Sequence, residues 1–140
     1  MLQKLSVADV KYIAHKLARN LLKYNEPIPP FNTRFPNKLE SCLITPFISF
    51  GGKKPYPTLR AKAAILFYLM IKNHPFENGN KRVAVTTLLL FLSRNEKWLR
   101  VDDKELYNFA KWVAESNPKL KDATVEAINK FLALYMVNYK

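Results

Sequence analysis

The chain has 140 residues, 49% hydrophobic and 13% aromatic, which fits one folded domain over residues 1–140 and excludes a disordered chain. Lys and Arg outnumber Asp and Glu by 23 to 11, and the net charge of +12 favours an acidic partner: a nucleotide, an acidic protein or a nucleic acid. The single cysteine, Cys42, excludes an internal disulfide and fits a reducing compartment. The longest apolar run, residues 83–92, is shorter than the roughly 20 residues a bilayer span requires, so no membrane association is expected. The N-terminus enters a helical pattern with no signal-peptide character, and a cytoplasmic protein is expected.

In chain order, residues 6–23 read as a helix. Ser6 and Asp9 form a capping-box-like start, and Val7, Val10, Ala14, Leu17, Ala18 and Leu21 recur at helical spacing. His15, among Lys11, Lys16 and Arg19, reads as a surface residue. Residues 25–36 carry Pro27, Pro29, Pro30 and Pro36 and form a connector that packs on the core through Phe31 and Phe35. Residues 37–43 predict a short helix capped by Asn37, with Glu40 as its partner. Residues 44–56 predict a hairpin with two short extended arms around Gly51 and Gly52. The chain has three glycines, and all fall here and at Gly79, so these positions call for glycine's backbone freedom.

Thr58 caps the next predicted helix, which runs to about Asn73 and has almost no polar face, as expected of a helix at the centre of a bundle. Pro75 ends it by forcing His74 out of helical geometry. Residues 80–94 are read as a helix despite the β-branched run Val83–Thr87, with Asn95 as the residue after its end. Asp102 and Glu105 make a second capping-box-like start for a helix ending near Ser116. Asp122 caps a last helix with Val125, Ile128, Leu132 and Tyr135 inward. The expected architecture is a compact all-α bundle with one small β-hairpin before the central helices.

Between the two most apolar helices lies His74-Pro75-Phe76-Glu77-Asn78-Gly79-Asn80-Lys81-Arg82. Gly79 permits close backbone approach or positive φ. The helix that opens at Asn80 favours an anion at its N-terminus, and Lys81 and Arg82 add positive charge. His74 supplies an imidazole, the side chain most used for proton transfer near neutrality. The pattern points to a phosphate site. The plainer alternative is a helix-to-helix turn that uses Gly and Asn for its own geometry, with a structural histidine.

This stretch resembles the signature of the Fic/Doc family, the filamentation and death-on-curing proteins, whose pattern is His-x-Phe-x-Asp/Glu-Gly-Asn-Gly/Lys-Arg. The Gly79-Asn80-Lys81-Arg82 form is similar to the death-on-curing branch. The resemblance extends from about Asn37 to the C-terminus. It implies that His74 is the general base toward a target hydroxyl and that Phe76 anchors the loop in the core. It implies that Asn78, Gly79, Asn80, Lys81 and Arg82 hold the phosphates of ATP or another nucleoside triphosphate. It also implies that Phe50, Gly51, Gly52 and Lys53 form a flap that positions the target segment by strand pairing.

The sequence departs from the family pattern at three places. Asn78 stands at the position of the magnesium-binding acid, with Glu77 one residue early, so the Mg2+ ligand is Glu77 or Asn78. Lys81 replaces the glycine of the AMP-transferring branch. Val85 stands where many family members carry a second Arg, and the Ser/Thr-x-x-x-Glu-Gly/Asn inhibitory motif is absent, so inhibition is assigned to a separate antitoxin. The resemblance implies a toxin-like transferase that modifies a Ser, Thr or Tyr hydroxyl of a target protein, for which a translation factor is a candidate. Phosphotransfer is favoured by Lys81. The alternatives are AMP transfer at the same site and a degenerate relative that binds a nucleotide or partner without chemistry. A nucleic-acid partner is not expected, because no helix-turn-helix or aromatic-interleaved basic stripe is present.

Overall fold

The computed structural model describes residues 1–21 and 27–139; the expected end of the first helix, the start of the Pro-rich connector and the side chain of Leu21 lie outside the described residues. The fold is built around α4 (Leu59–Lys72), in which every residue from Lys62 to Ile71 is buried. A helix apolar on all sides needs cover on all sides. That cover comes from α5 (Asn80–Arg94), α7 (Lys121–Tyr135), α6 (Asp103–Glu115) and α3 (Pro36–Ile44). Thr58 caps α4 as expected, its hydroxyl accepting from Ala61 N at 3.1 Å. The β-branched run Val83–Thr87 is helical, because burial against α4 and the N-terminal helix overrides its strand propensity. The result is an all-α bundle carrying one small hairpin, together with a short two-stranded sheet.

The N-terminal helix consists of α1 (Val7–Asp9), a π-helical turn (Val10–Ala14) and α2 (His15–Leu21) in succession. Ser6 and Asp9 form the expected reciprocal capping box, at 2.9 and 3.1 Å. Thr86 of α5 donates its hydroxyl to Ala14 O at 2.7 Å, joining the end of the π turn to the central pair. Asn95 ends α5, but with φ −112°, and Glu96 is the residue that takes positive φ, at 65°. The Asn95 side chain instead holds the backbone of Gln3 by two hydrogen bonds, at 2.7 and 3.1 Å.

Several local expectations need correction. Asn37 does not cap α3: Pro36 occupies the first turn and Phe35 is the cap residue, so the helix starts one residue earlier. Glu40 lies 3.9 Å from Arg34 instead. Asp102 caps α6 through Lys104 N, and Glu105 accepts from Tyr135 OH at 2.7 Å rather than completing a box. Asp122 lies in the first turn of α7, whose cap position is Leu120. The hairpin is smaller than predicted, because α3 and a 3-10 turn, Thr45–Phe47, occupy its first arm. What remains is a tight pair, Phe50 N to Lys53 O at 2.8 Å and Lys53 N to Phe50 O at 2.9 Å, closed by Gly51 and Gly52 with φ of 55° and 81°. The sheet lies elsewhere: β1 (Lys97–Leu99) pairs antiparallel with β2 (Met136–Asn138), with Trp98 opposite Val137. Three-residue strands carry too little alternation to be seen in the sequence.

His15 is the largest correction. It is 3% exposed and lies under the connector, with Nε2 3.0 Å from Pro29 O. Its ring packs edge-on to Phe31 at 5.3 Å and against Phe76, also at 5.3 Å. Burial pushes its pKa below the ordinary 6.5; the Pro29 hydrogen bond opposes this, and the Arg19 charge adds to the lowering. As pH falls below 6.5 the unfolded chain takes up a proton at His15 that the folded chain refuses. Stability therefore falls on acidification, down to the lowered folded value. Urea unfolding of the wild type should lose stability between pH 6.5 and that value, by up to about 1.4 kcal/mol per pH unit more than His15→Gln does. Parallel pH profiles for the two proteins would remove His15 as the sensor.

Candidate functional site

The signature residues form the loop between α4 and α5 and the first turn of α5. Asn73 closes α4 and His74 follows with φ +50°, a left-handed conformation that a residue with a Cβ rarely adopts. His74, Glu77 and Asn78 are exposed, whereas Pro75, Phe76, Gly79 and Asn80 are buried. The loop thus turns its titratable groups outward over an apolar and amide-lined base.

Two devices hold that shape. The first is the Asn80 side chain, which accepts from Phe76 N at 2.9 Å and donates to Phe76 O at 2.8 Å. Both bonds are buried, so they replace water that the loop backbone could not reach. They also set which end of the amide is which: the NH2 faces His74 Nδ1, at 3.4 Å. That contact suits the tautomer with the ring lone pair at Nδ1 and the proton at Nε2. Base action through Nε2 requires the exposed ring to leave the contact and take the other tautomer.

The second device is the connector, which runs beneath the loop as a strap. Phe35 N donates to Pro75 O at 2.8 Å. Phe31 packs on Phe76 with ring centres 5.8 Å apart, and Arg34 lies over the other ring, Phe31, at 4.5 Å. Phe76 is 1% exposed inside this cluster. Ile28 fills the space beside Gly79: a Cβ there would sit 2.6 Å from Ile28 Cγ1 and 3.3 Å from Ile28 Cα. Gly79 does take positive φ, at 76°, but the close backbone approach expected of it is made by Ile28.

Gly79 is also the N-cap of α5, so the cap residue offers no side-chain acceptor to the first turn. Lys81 is partly buried, and Arg82 is 5% exposed, inside the first turn rather than displayed on the surface. Val85, where an arginine would add charge, is 2% exposed and apolar. One carboxylate, Glu77, and one amide, Asn78, flank the loop. Among the described residues no three His, Cys, Asp or Glu side chains gather as a metal cage. Magnesium commonly uses one or two carboxylates and takes its other oxygens from phosphate and water, so this donor set fits at the lower limit.

Phe50, Gly51, Gly52 and Lys53, the expected flap, are all exposed, Phe50 to 67%. They lie before the start of α4, while the loop follows its end. A groove of about 680 Å³ along Trp98–Asp102 and Val137–Tyr139 belongs to the sheet and shares no residue with the loop. Cys42 is fully buried, and burial pushes its thiol up to about 12, which removes it as a nucleophile. The connector packs on the core as expected through Phe31, but Phe35 is exposed and contributes its backbone N–H instead; sequence reasoning missed the burial of His15 and the place of Ile28.

A family model described as Fic/DOC family matches residues 4–92. The match includes the N-terminal helix, which lies outside the sequence resemblance, and it stops before β1, α6 and α7, which the resemblance had included. No curated protein and no solved structure matches the chain. Among the described residues no helix is long and apolar enough to cross a membrane.

Gly79→Ala should cost about 2–4 kcal/mol, from left-handed strain plus overpacking on Ile28. Adding Ile28→Ala should return the packing part, giving a coupling of about 1 kcal/mol or more in a double-mutant cycle by urea unfolding. Additive effects would mean that Ile28 does not confine Gly79.

Proposed function

The chain belongs to the Fic/Doc family, and from that premise we propose a toxin-like transferase that moves a phosphoryl group from a nucleoside triphosphate to a protein hydroxyl. Proteins of this family are in general protein-modifying transferases. The observation that carries the reading is the loop itself: an exposed imidazole on strained backbone, locked from below, at the glycine-capped N-terminus of a long helix. Positive φ at His74 costs about 1–3 kcal/mol and needs a rigid surround to persist. Asn80 and the strap supply one.

In this reading the phosphates lie on the first turn of α5, drawn by its dipole and by Lys81 and Arg82. Asn78, Gly79 and Asn80 supply backbone N–H groups around them. The Asn80 side chain stays on Phe76 and acts by shaping the loop. The target oxygen attacks the γ-phosphorus, the bond from that phosphorus to the β-bridging oxygen breaks, and a nucleoside diphosphate leaves. The hydroxyl proton passes to His74. Mg2+, held at Glu77 or Asn78, would neutralise phosphate charge when bound. The flap edge at Phe50–Lys53 pairs with the target segment. Lys81 favours a terminal-phosphate donor because its cationic stem fills the place where AMP transfer uses bare backbone. A cytoplasmic toxin controlled by a separate antitoxin completes the proposal.

A second reading has its own observation. Asn78 leaves Glu77 as the loop's one carboxylate, so a relative that binds nucleotide without turning it over fits the same geometry. The two separate on incubation with a cell extract and ATP labelled at the α- or the γ-phosphate. The γ label should reach a protein with the wild type and should be lost in His74→Ala, whose melting temperature should stay near that of the wild type. Protein carrying the α label would overturn phosphotransfer in favour of AMP transfer. Neither label at any magnesium level would select the non-catalytic relative.

Asn78→Asp supplies the missing carboxylate. It should raise the rate at low magnesium by about ten-fold or more and lower the magnesium requirement. An unchanged magnesium dependence would place the metal elsewhere.

A further inference from the structure

Lys62 is the one charged side chain inside the buried face of α4 and is 6% exposed. An ammonium at such a position loses several kcal/mol of hydration unless hydrogen bonds replace it, and methionine would fill the same space without that loss. Its partners say what the charge is for. Nζ donates to Pro46 O at 3.0 Å and to Tyr56 O, and it lies 4.8 Å from the centre of the Phe47 ring. Pro46 and Tyr56 are the two ends of the flap segment. Both acceptors are neutral carbonyls, and residues 41–76 contain no Asp or Glu.

Between those ends the flap has little else to place it. Residues 49–55 are all exposed, so no apolar burial seats them. Their cross-bonds are the mutual pair of Phe50 and Lys53, which shapes the tip without attaching it to the body. A segment with few buried contacts and exposed hydrogen bonds opens at low free energy. The segment's two ends are seated by packing, since Pro46 is buried and Phe47 and Tyr56 lie against the core, and the Lys62 ammonium is the group that bonds to both ends at once. Burial pushes its pKa down and the nearby Lys54 charge adds to this, as expected where the flap's outer arm returns close to the clasp.

We propose that Lys62 is the positioning residue of the flap: its ammonium clasps Pro46 O and Tyr56 O and so sets the Phe50–Lys53 edge against which a target segment is read. The clasp follows from the geometry alone; its effect on target binding rests on the function proposed above. Lys62 lies twelve residues before His74, about 18 Å along a helix, so its ammonium does not touch the reacting groups and acts through the flap.

Lys62→Met tests both parts. Hydrogen exchange read by mass spectrometry should speed up about ten-fold in the peptide covering residues 48–57, with α4 and α5 peptides unchanged. For the extract protein that accepts the γ label, KM should rise about ten-fold while kcat and calorimetric ATP affinity stay within about two-fold. Should Lys62→Met fail to fold, Lys62→Gln, whose shorter amide cannot span both carbonyls, carries the same expectation. Unchanged exchange in the flap peptide would overturn the clasp, whether or not the protein transfers phosphate. Faster exchange with unchanged KM would overturn the positioning role and locate the failure in the reading of the flap, the clasp itself standing. A fall in ATP affinity with flap exchange unchanged would make Lys62 part of the nucleotide site and overturn the proposal.

Discussion

The loop between α4 and α5 depends on one amide. Asn80 closes two buried hydrogen bonds on the Phe76 backbone, and nearly every other feature of the site follows from that closure. It sets Phe76 facing down into the aromatic cluster. It turns the NH2 toward the His74 ring. It starts α5 directly after a left-handed glycine, six residues after a His74 that itself has positive φ. An aspartate here could accept from Phe76 N but could not donate to Phe76 O, so the residue type is set by the need for both halves of an amide.

The strap is the second level of the same construction. A loop between two apolar helices has polar backbone that must be met by something other than water. The chain meets it with a proline-rich segment, whose lack of N–H donors leaves few groups of its own to satisfy. Ile28 and Phe31 then give the loop an apolar floor, and the backbone of the exposed Phe35 gives it one hydrogen bond. His15 joins this floor to the N-terminal helix, which explains why a histidine is buried there: a fully apolar side chain would leave Pro29 O without its donor.

How much of this was legible depended on whether the signal was local. The helices around residues 59–72 and 80–94 were readable, because their apolar runs are long, Thr58 marks a start, and Pro75 and Asn95 mark the stops. The signature was readable because nine consecutive residues carry it. The hairpin was visible as a glycine pair, but its first arm was misread, since Thr45 and Pro46 continue a helical path that β-branched composition hides. His15 was misread because its helical neighbours are cations; its partner Pro29 lies 14 residues on, beyond any periodicity. Lys62 passed unnoticed as one lysine in an apolar run, and only the fold brings Pro46 and Tyr56 to it. The sheet of β1 and β2 joins segments nearly forty residues apart through three pairs, which no local pattern encodes.

Asn95 and Glu96 have a consequence for how the molecule can be joined to others. Asn95 holds Gln3 by two bonds, and Glu96 O accepts from Tyr139 N at 3.0 Å. Gln3 and Tyr139 therefore meet at one place, the C-terminal end of α5. The signature loop sits at the opposite end of that 15-residue helix, about 22 Å away. A group attached at Gln3 or Tyr139 therefore sits about one helix length from the signature loop. A handle, a fluorophore or a surface tether placed at either end leaves the loop facing solution.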